Sequence, residues 1–186
     1  SQSRLDSLKN ATLIYIAGGS QSRFMDVVQG TDIEKAIWDC YLKGGTIAGT
    51  SAGAAVMSEK MTNGNQNLYP ASESGFRVIE KGNTGLSAGL GFLKNAVIDQ
   101  HFVKRSRYNR LLTLTMENPE LKYIGIDEST AIVVSGNRAK VVGDSQVIVL
   151  DGSKGKASAN GKKLGMKDIN LSIYLNSDEF KIKWKS

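Results

Sequence analysis

The sequence predicts an α/β fold with three layers, α/β/α, around a mostly parallel central sheet, and a small antiparallel cap at the C-terminus. Three observations predict it. Short continuous apolar runs alternate with helical patterns early in the chain, glycines stand where those runs end, and beyond Arg138 the pattern becomes short alternating segments divided by turn sequences.

Residues 13–17, LIYIA, are a continuous apolar run stopped by Gly18-Gly19, the pattern of a strand buried on both faces. Thr31-Asp32-Ile33-Glu34 has capping-box spacing, so a helix starts there and runs through Ile37, Trp38 and Leu42 until Gly44-Gly45 closes it. Residues 46–49 form the next strand and residues 52–61 the next helix. From 62 to 88 the periodicity fades among Asn, Gly, Ser and one Pro, which predicts a long loop. A strand follows at 96–99, then a helix at 107–117 that stops near Asn118-Pro119, and strands at 123–127 and 131–135. The turn sequences DGS, NGK and NSDE then separate the segments of the cap.

Composition bounds the function. The chain of 186 residues is about one domain long, with 40% hydrophobic and 23% charged residues, ordinary for a soluble globular protein. No apolar run approaches the roughly 20 residues that span a bilayer, and the first ten residues, SQSRLDSLKN, are polar and carry no signal-peptide pattern. The formal charge of +6 is spread along the chain, densest at Lys104-Arg105-Ser106-Arg107 and in the C-terminal third, so it reads as a solvated surface and not a nucleic-acid face. One Cys, Cys40, and one His exclude a disulfide framework and a structural zinc site; Cys40 falls in an amphipathic pattern as a small core side chain. No metal or cofactor is expected, and a chain without disulfides fits the cytoplasm.

Gly49-Thr50-Ser51-Ala52-Gly53, between a strand and a helix, fits a nucleophile elbow: glycines permit a sharp corner, and the serine hydroxyl projects from the carboxyl edge of the sheet. The N–H groups that open the next helix favour a developing oxyanion. A serine nucleophile needs a base, and His101, in Asp99-Gln100-His101-Phe102, follows a predicted strand at the same edge. The imidazole needs a carboxylate to orient it, and Asp127 and Glu128 both stand at the end of a further strand. The order Ser, His, acid differs from the Ser, acid, His order of α/β-hydrolases. Gly18-Gly19-Ser20-Gln21 follows the first strand and offers further N–H donors, with Gln21 facing the substrate. Arg105, Arg107 and Arg110 lie just past His101, the last two on one helical face, a pattern that reads either as a clamp for carboxylates or as a solvated basic face.

Together the stretches IYIAGGSQ, AGTSAGAAVMSEKM, GLGFLKNAVIDQHFVKRSRYNRL, GIDESTAIVVSGNRAKVVG and VIVLDG resemble the cyanophycinase group of the S51 serine peptidases, relatives of the aspartyl dipeptidases. They span most of the chain in the family's order, and DQHF followed by R-x-R-x-x-R is their most specific part. The resemblance implies Ser51 as nucleophile, His101 as general base and Glu128 as orienting acid, with an oxyanion held near Gly19 and Ala52. It implies substrate contacts from Gln21, Asp99, Gln100, Arg105, Arg107 and Arg110. It also implies a fold like that of class I glutamine amidotransferases, usually dimeric, as a single S51-like domain over residues 1–186. The implied activity is hydrolysis of cyanophycin, an aspartate polymer with arginine on each side-chain carboxyl, to β-Asp-Arg dipeptides. An Asp-directed or isoaspartyl exopeptidase, and an inactive binder of acidic or Asp-Arg polymers, stay open beside it. Several strand–helix units that the family carries before its GGxQ strand have no counterpart here, so an incomplete or processed version of an intact enzyme is expected.

Overall fold

In the computed structural model, which describes residues 2–70 and 76–182, the chain begins with α1 (Gln2–Lys9), β1 (Leu13–Ile16), α2 (Gln21–Val28), α3 (Asp32–Leu42) and β2 (Thr46–Gly49). Thr31 caps α3 by accepting the Ile33 N–H at 3.2 Å, and the Glu34 carboxylate accepts the Gly30 N–H at 2.6 Å, one residue earlier than a capping box would place it. The helix α2 is not among the sequence expectations, although Ser20 at its N-cap accepts the Arg23 N–H and Met25 and Val28 share its buried side.

Strands β1 and β2 pair in parallel, Leu13 opposite Thr46 through Ile16 opposite Gly49. Ile14 and Ile16 enter a core with Met25, Val28, Ile37 and Cys40. Leu13 and Tyr15, which alternate with them, are 59% and 63% exposed. This corrects the expectation of a strand buried on both faces: among the described residues, α2 and α3 cover one face and leave the other open.

The helix expected over 52–61 ends after one turn as α4 (Ala52–Ala55). The carbonyls that would continue it are taken from elsewhere: Leu90 donates to Val56 at 2.7 Å and Leu93 to Met57 at 2.9 Å. Tertiary hydrogen bonds thus override local propensity. The chain instead enters β3 (Lys60–Gln66), antiparallel to β4 (Thr84–Ala88) with a register shift between Thr62 and Gln66. The two ends of the expected loop, 62–66 and 84–88, are therefore a strand pair, and its residues 71–75 lie outside the described residues.

The rest is β5 (Ala96–Gln100), α5 (Tyr108–Glu117), β6 (Lys122–Ile126), β7 (Thr130–Ser135), β8 (Arg138–Gly143), β9 (Val147–Asp151), β10 (Lys156–Asn160), β11 (Lys163–Lys167), β12 (Asn170–Tyr174) and β13 (Glu179–Lys181). A four-stranded sheet runs β12-β9-β6-β5. Its Ala96, Ile98, Ile124, Ile126, Val147 and Val149 share one core with β8 and β13, while Val97, Tyr123, Ile148 and Leu150 share another with Leu111 and Leu114 of α5. The C-terminal strands pair antiparallel as expected, but only β10–β11 stand as a sheet of their own: β9 and β12 complete the central sheet, and β7, β8 and β13 form a further sheet that shares a core with it. Only β1–β2 and β5–β6 are parallel among the named strand pairs, so the sheets are mixed and not mostly parallel. Among the described residues no helix is long and apolar enough to cross a membrane.

Candidate active site

The parallel pairs β1–β2 and β5–β6 both carry candidate residues at their carboxyl ends, where open α/β sheets place ligands. Ser51 stands at the end of β2 with φ 52° and ψ −114°, a region that ordinary side chains seldom occupy and that costs on the order of 1–3 kcal/mol. The corner is held by close backbone approach. A Cβ on Gly53 would collide with the Ile16 carbonyl of β1, and one on Gly49 with the Gly53 carbonyl. No side chain fits at either position, which explains the glycines on both sides of the serine. The Ser51 hydroxyl makes no capping bond to α4, and it lies 2.8 Å from Nε2 of His101.

His101 follows β5 in a left-handed conformation, φ 52°. Its Nδ1 is 2.6 Å from Oε1 of Glu128, which follows β6. Since a carboxylate accepts, Nδ1 carries the ring proton and Nε2 is left as acceptor for the Ser51 hydroxyl. Asp127, the other candidate acid, faces away. Its Oδ1 accepts the Lys104 N–H at 2.9 Å and its Oδ2 the Ser145 hydroxyl at 2.7 Å. Burial works to raise the Asp127 pKa, but the Ser145 hydroxyl and the backbone donors outweigh it and hold the carboxyl below its usual range.

Around Ser51, Gly18 approaches so closely that a Cβ there would sit 3.8 Å from the serine hydroxyl oxygen, which brings the Gly18-Gly19 turn beside it. Gly53, Ala54 and Ala55 donate to the carbonyls of Thr50 and Ser51, so among the described residues Ala52 is the first-turn N–H of α4 left without a carbonyl partner. Gln21 is buried and donates through Nε2 to the Thr62 carbonyl at 3.0 Å, joining α2 to β3.

The arginine series divides. Arg110, 3% exposed, grips Asp99, 0% exposed, through two bonds: Nε to Oδ2 at 2.5 Å and Nη2 to Oδ1. Arg107 donates through Nη1 to the Gln100 carbonyl at 2.6 Å and to the Gln100 side-chain oxygen, with Asp99 Oδ1 at 3.4 Å. Burial, then the neighbouring Arg110 charge, lowers the Arg107 pKa to about 10 against the pull of Asp99. Arg105 alone of the three is exposed, and its backbone N–H donates to the His101 carbonyl at 3.0 Å. The sequence pattern thus splits into a buried Arg110 and a part-buried Arg107, both turned toward the protein's own Asp99, and an exposed Arg105. Among the described residues no group of three or more His, Cys, Asp or Glu side chains stands together to hold a metal ion.

Ser145 was not legible as part of this region, because it lies in a loop whose placement beside Asp127 depends on β9 joining β6.

The chain as a whole is similar to known proteins. The family model for peptidase family S51 matches residues 1–142. A cyanophycinase of Geminocystis herdmanii is 31% identical over 183 residues, covering 95% of this chain and 64% of that protein. One of Trichormus variabilis is 33% identical over 148 residues, covering 78% and 47%. The crystal structure of a peptidase from an acI-B1 Actinobacterium superposes with a TM-score of 0.67 at 24% identity, over 97% of this chain and 64% of that one. The chain thus spans less than two thirds of the length of each.

Proposed function

The chain belongs to peptidase family S51, and we propose that it is the catalytic part of a serine peptidase that hydrolyses cyanophycin to β-Asp-Arg dipeptides. The observation that carries this reading is the run of two contacts from Ser51 through His101 to Glu128, 2.8 and 2.6 Å. The Ser51 hydroxyl attacks the scissile carbonyl as His101 Nε2 takes its proton, forming a tetrahedral oxyanion beside the N–H groups of Gly19 and Ala52. The protonated imidazole then gives the proton to the leaving amine, and an acyl-enzyme remains. Water, deprotonated by the same imidazole, releases the acid and restores the serine. Glu128 holds the ring in the tautomer that leaves Nε2 free.

The exposed Arg105 guanidinium suits a substrate carboxylate, and Gln100 and Arg107 stand beside His101; the similarity to the cyanophycinases supports the Asp-Arg substrate and, with it, a substrate contact from Gln21. Family membership also supports reading the whole as a three-layer, class I glutamine amidotransferase-like domain over residues 1–186, dimeric and cytoplasmic. The test is to incubate the purified chain and its Ser51→Ala variant with cyanophycin and with a panel of α- and β-aspartyl dipeptides. Release of β-Asp-Arg by the first and not by the second is expected. Cleavage of simple aspartyl dipeptides alone would move the assignment to an Asp-directed exopeptidase, and undiminished release by Ser51→Ala would end it.

A further inference from the structure

His101 holds a backbone conformation that a residue with a Cβ adopts at a cost of about 1–2 kcal/mol, and something must prevent its relaxation. Rotation about φ of His101 swings the carbonyl of the preceding residue, Gln100. That oxygen is held by Arg107 at 2.6 Å, and the same guanidinium nitrogen also holds the Gln100 side-chain oxygen. Arg107 rests in turn on the buried Asp99–Arg110 pair, and the Asp99 carboxylate accepts the Gln100 N–H at 2.7 Å. On the other side of His101, Phe102 donates to the Ile126 carbonyl at 3.2 Å and Lys104 to Asp127 at 2.9 Å. The turn is therefore pinned both before and after the imidazole.

We propose that Arg107, backed by the Asp99–Arg110 pair, is a positioning residue that locks the Gln100–His101 peptide and so keeps the imidazole between Ser51 and Glu128. It deepens the reading of Ser51 and His101 as nucleophile and base, and rests on it. Nη1 of Arg107 is taken by Gln100 and Asp99, and Nε and Nη2 of Arg110 are taken by Asp99, so these nitrogens hold the protein's own oxygens. Arg110, buried with Asp99, acts as the anchor beneath.

A small uncharged alkyl fluorophosphonate separates the two roles, because it reports the reactivity of Ser51 without a carboxylate for an arginine to bind. Arg107→Met is expected to slow labelling by about 10–100-fold, and Arg107→Lys, which keeps the charge but not the planar guanidinium, to fall between it and the parent chain. As His101 is the only histidine, the nitrogen resonances of a single imidazole report its bond to Glu128, and Arg107→Met should lose that signature. Parent-rate labelling by both variants, with unchanged imidazole resonances and only a raised KM for peptide, would overturn the proposal in favour of substrate binding. Should Arg107→Met fail to fold, Arg107→Lys alone decides on the same two readouts. Absence of Ser51 labelling in the parent chain would instead overturn the serine-nucleophile reading itself, and the positioning role with it.

Discussion

The Glu128 carboxylate meets Nδ1 of His101 at 2.6 Å, while that of Asp127, one residue earlier, turns away to the Lys104 N–H at 2.9 Å. Both oxygens of Asp127 are taken, by the Lys104 N–H and the Ser145 hydroxyl, which leaves the imidazole to Glu128. Glu128→Gln should keep the size of the side chain but present an amide that disturbs the ring's tautomer. Turnover is expected to fall by about 100- to 10,000-fold, with the unfolding transition unmoved because Glu128 lies half exposed. Steady-state kinetics beside a thermal melt check both halves.

Asp127 bears on stability against pH. Its folded-state pKa is lowered, so it stabilises the fold in full above the unfolded aspartate value of about 3.9, and that contribution disappears as pH falls through the lower folded value. Asp127→Asn should therefore unfold more easily at neutral pH, with the difference from the parent chain closing on the acid side. Denaturant titrations at pH 7 and in the acid range measure it; an equal difference at both would refute the assignment.

Gly53→Ala tests the elbow. The new methyl meets the Ile16 carbonyl, a backbone atom that cannot swing aside. A loss of about 3 kcal/mol or more is expected in equilibrium unfolding, together with loss of Ser51 reactivity.

Strand β1 offers a paired prediction. Ile16→Ala removes a core side chain and should cost about 2–5 kcal/mol. Tyr15→Ser, one residue away on the open face, should change stability by less than about 0.5 kcal/mol.

Much of the site's raw material could be read along the chain because it depends on local order. The glycines that frame Ser51, the sole histidine at a strand end and the adjacent acids after another strand are patterns of neighbours, and parallel strands carry their following loops to one edge. The helix at Asp32–Leu42 was legible for the same reason, through Thr31 and Glu34.

Other features depended on partners distant in sequence. The helix expected over 52–61 stops because Leu90 and Leu93 take the Val56 and Met57 carbonyls. Strand β9 joins the central sheet through its pairing with β6, which no turn sequence near it announces.

By itself the sequence determined which side chains could do the chemistry and in what order they occur. Neighbouring residues alone left Asp127 and Glu128 open, and the resemblance implied Glu128; the tertiary structure sets Glu128 against His101, and it alone decided that Leu13 and Tyr15 stay in the open and that Arg107 and Arg110 turn inward to Gln100 and Asp99. The physical reason is burial. A guanidinium beside a buried carboxylate is held there by the cost of leaving that charge unpaired, and where Asp99 lies is set by the whole sheet, not by the residues on either side of it.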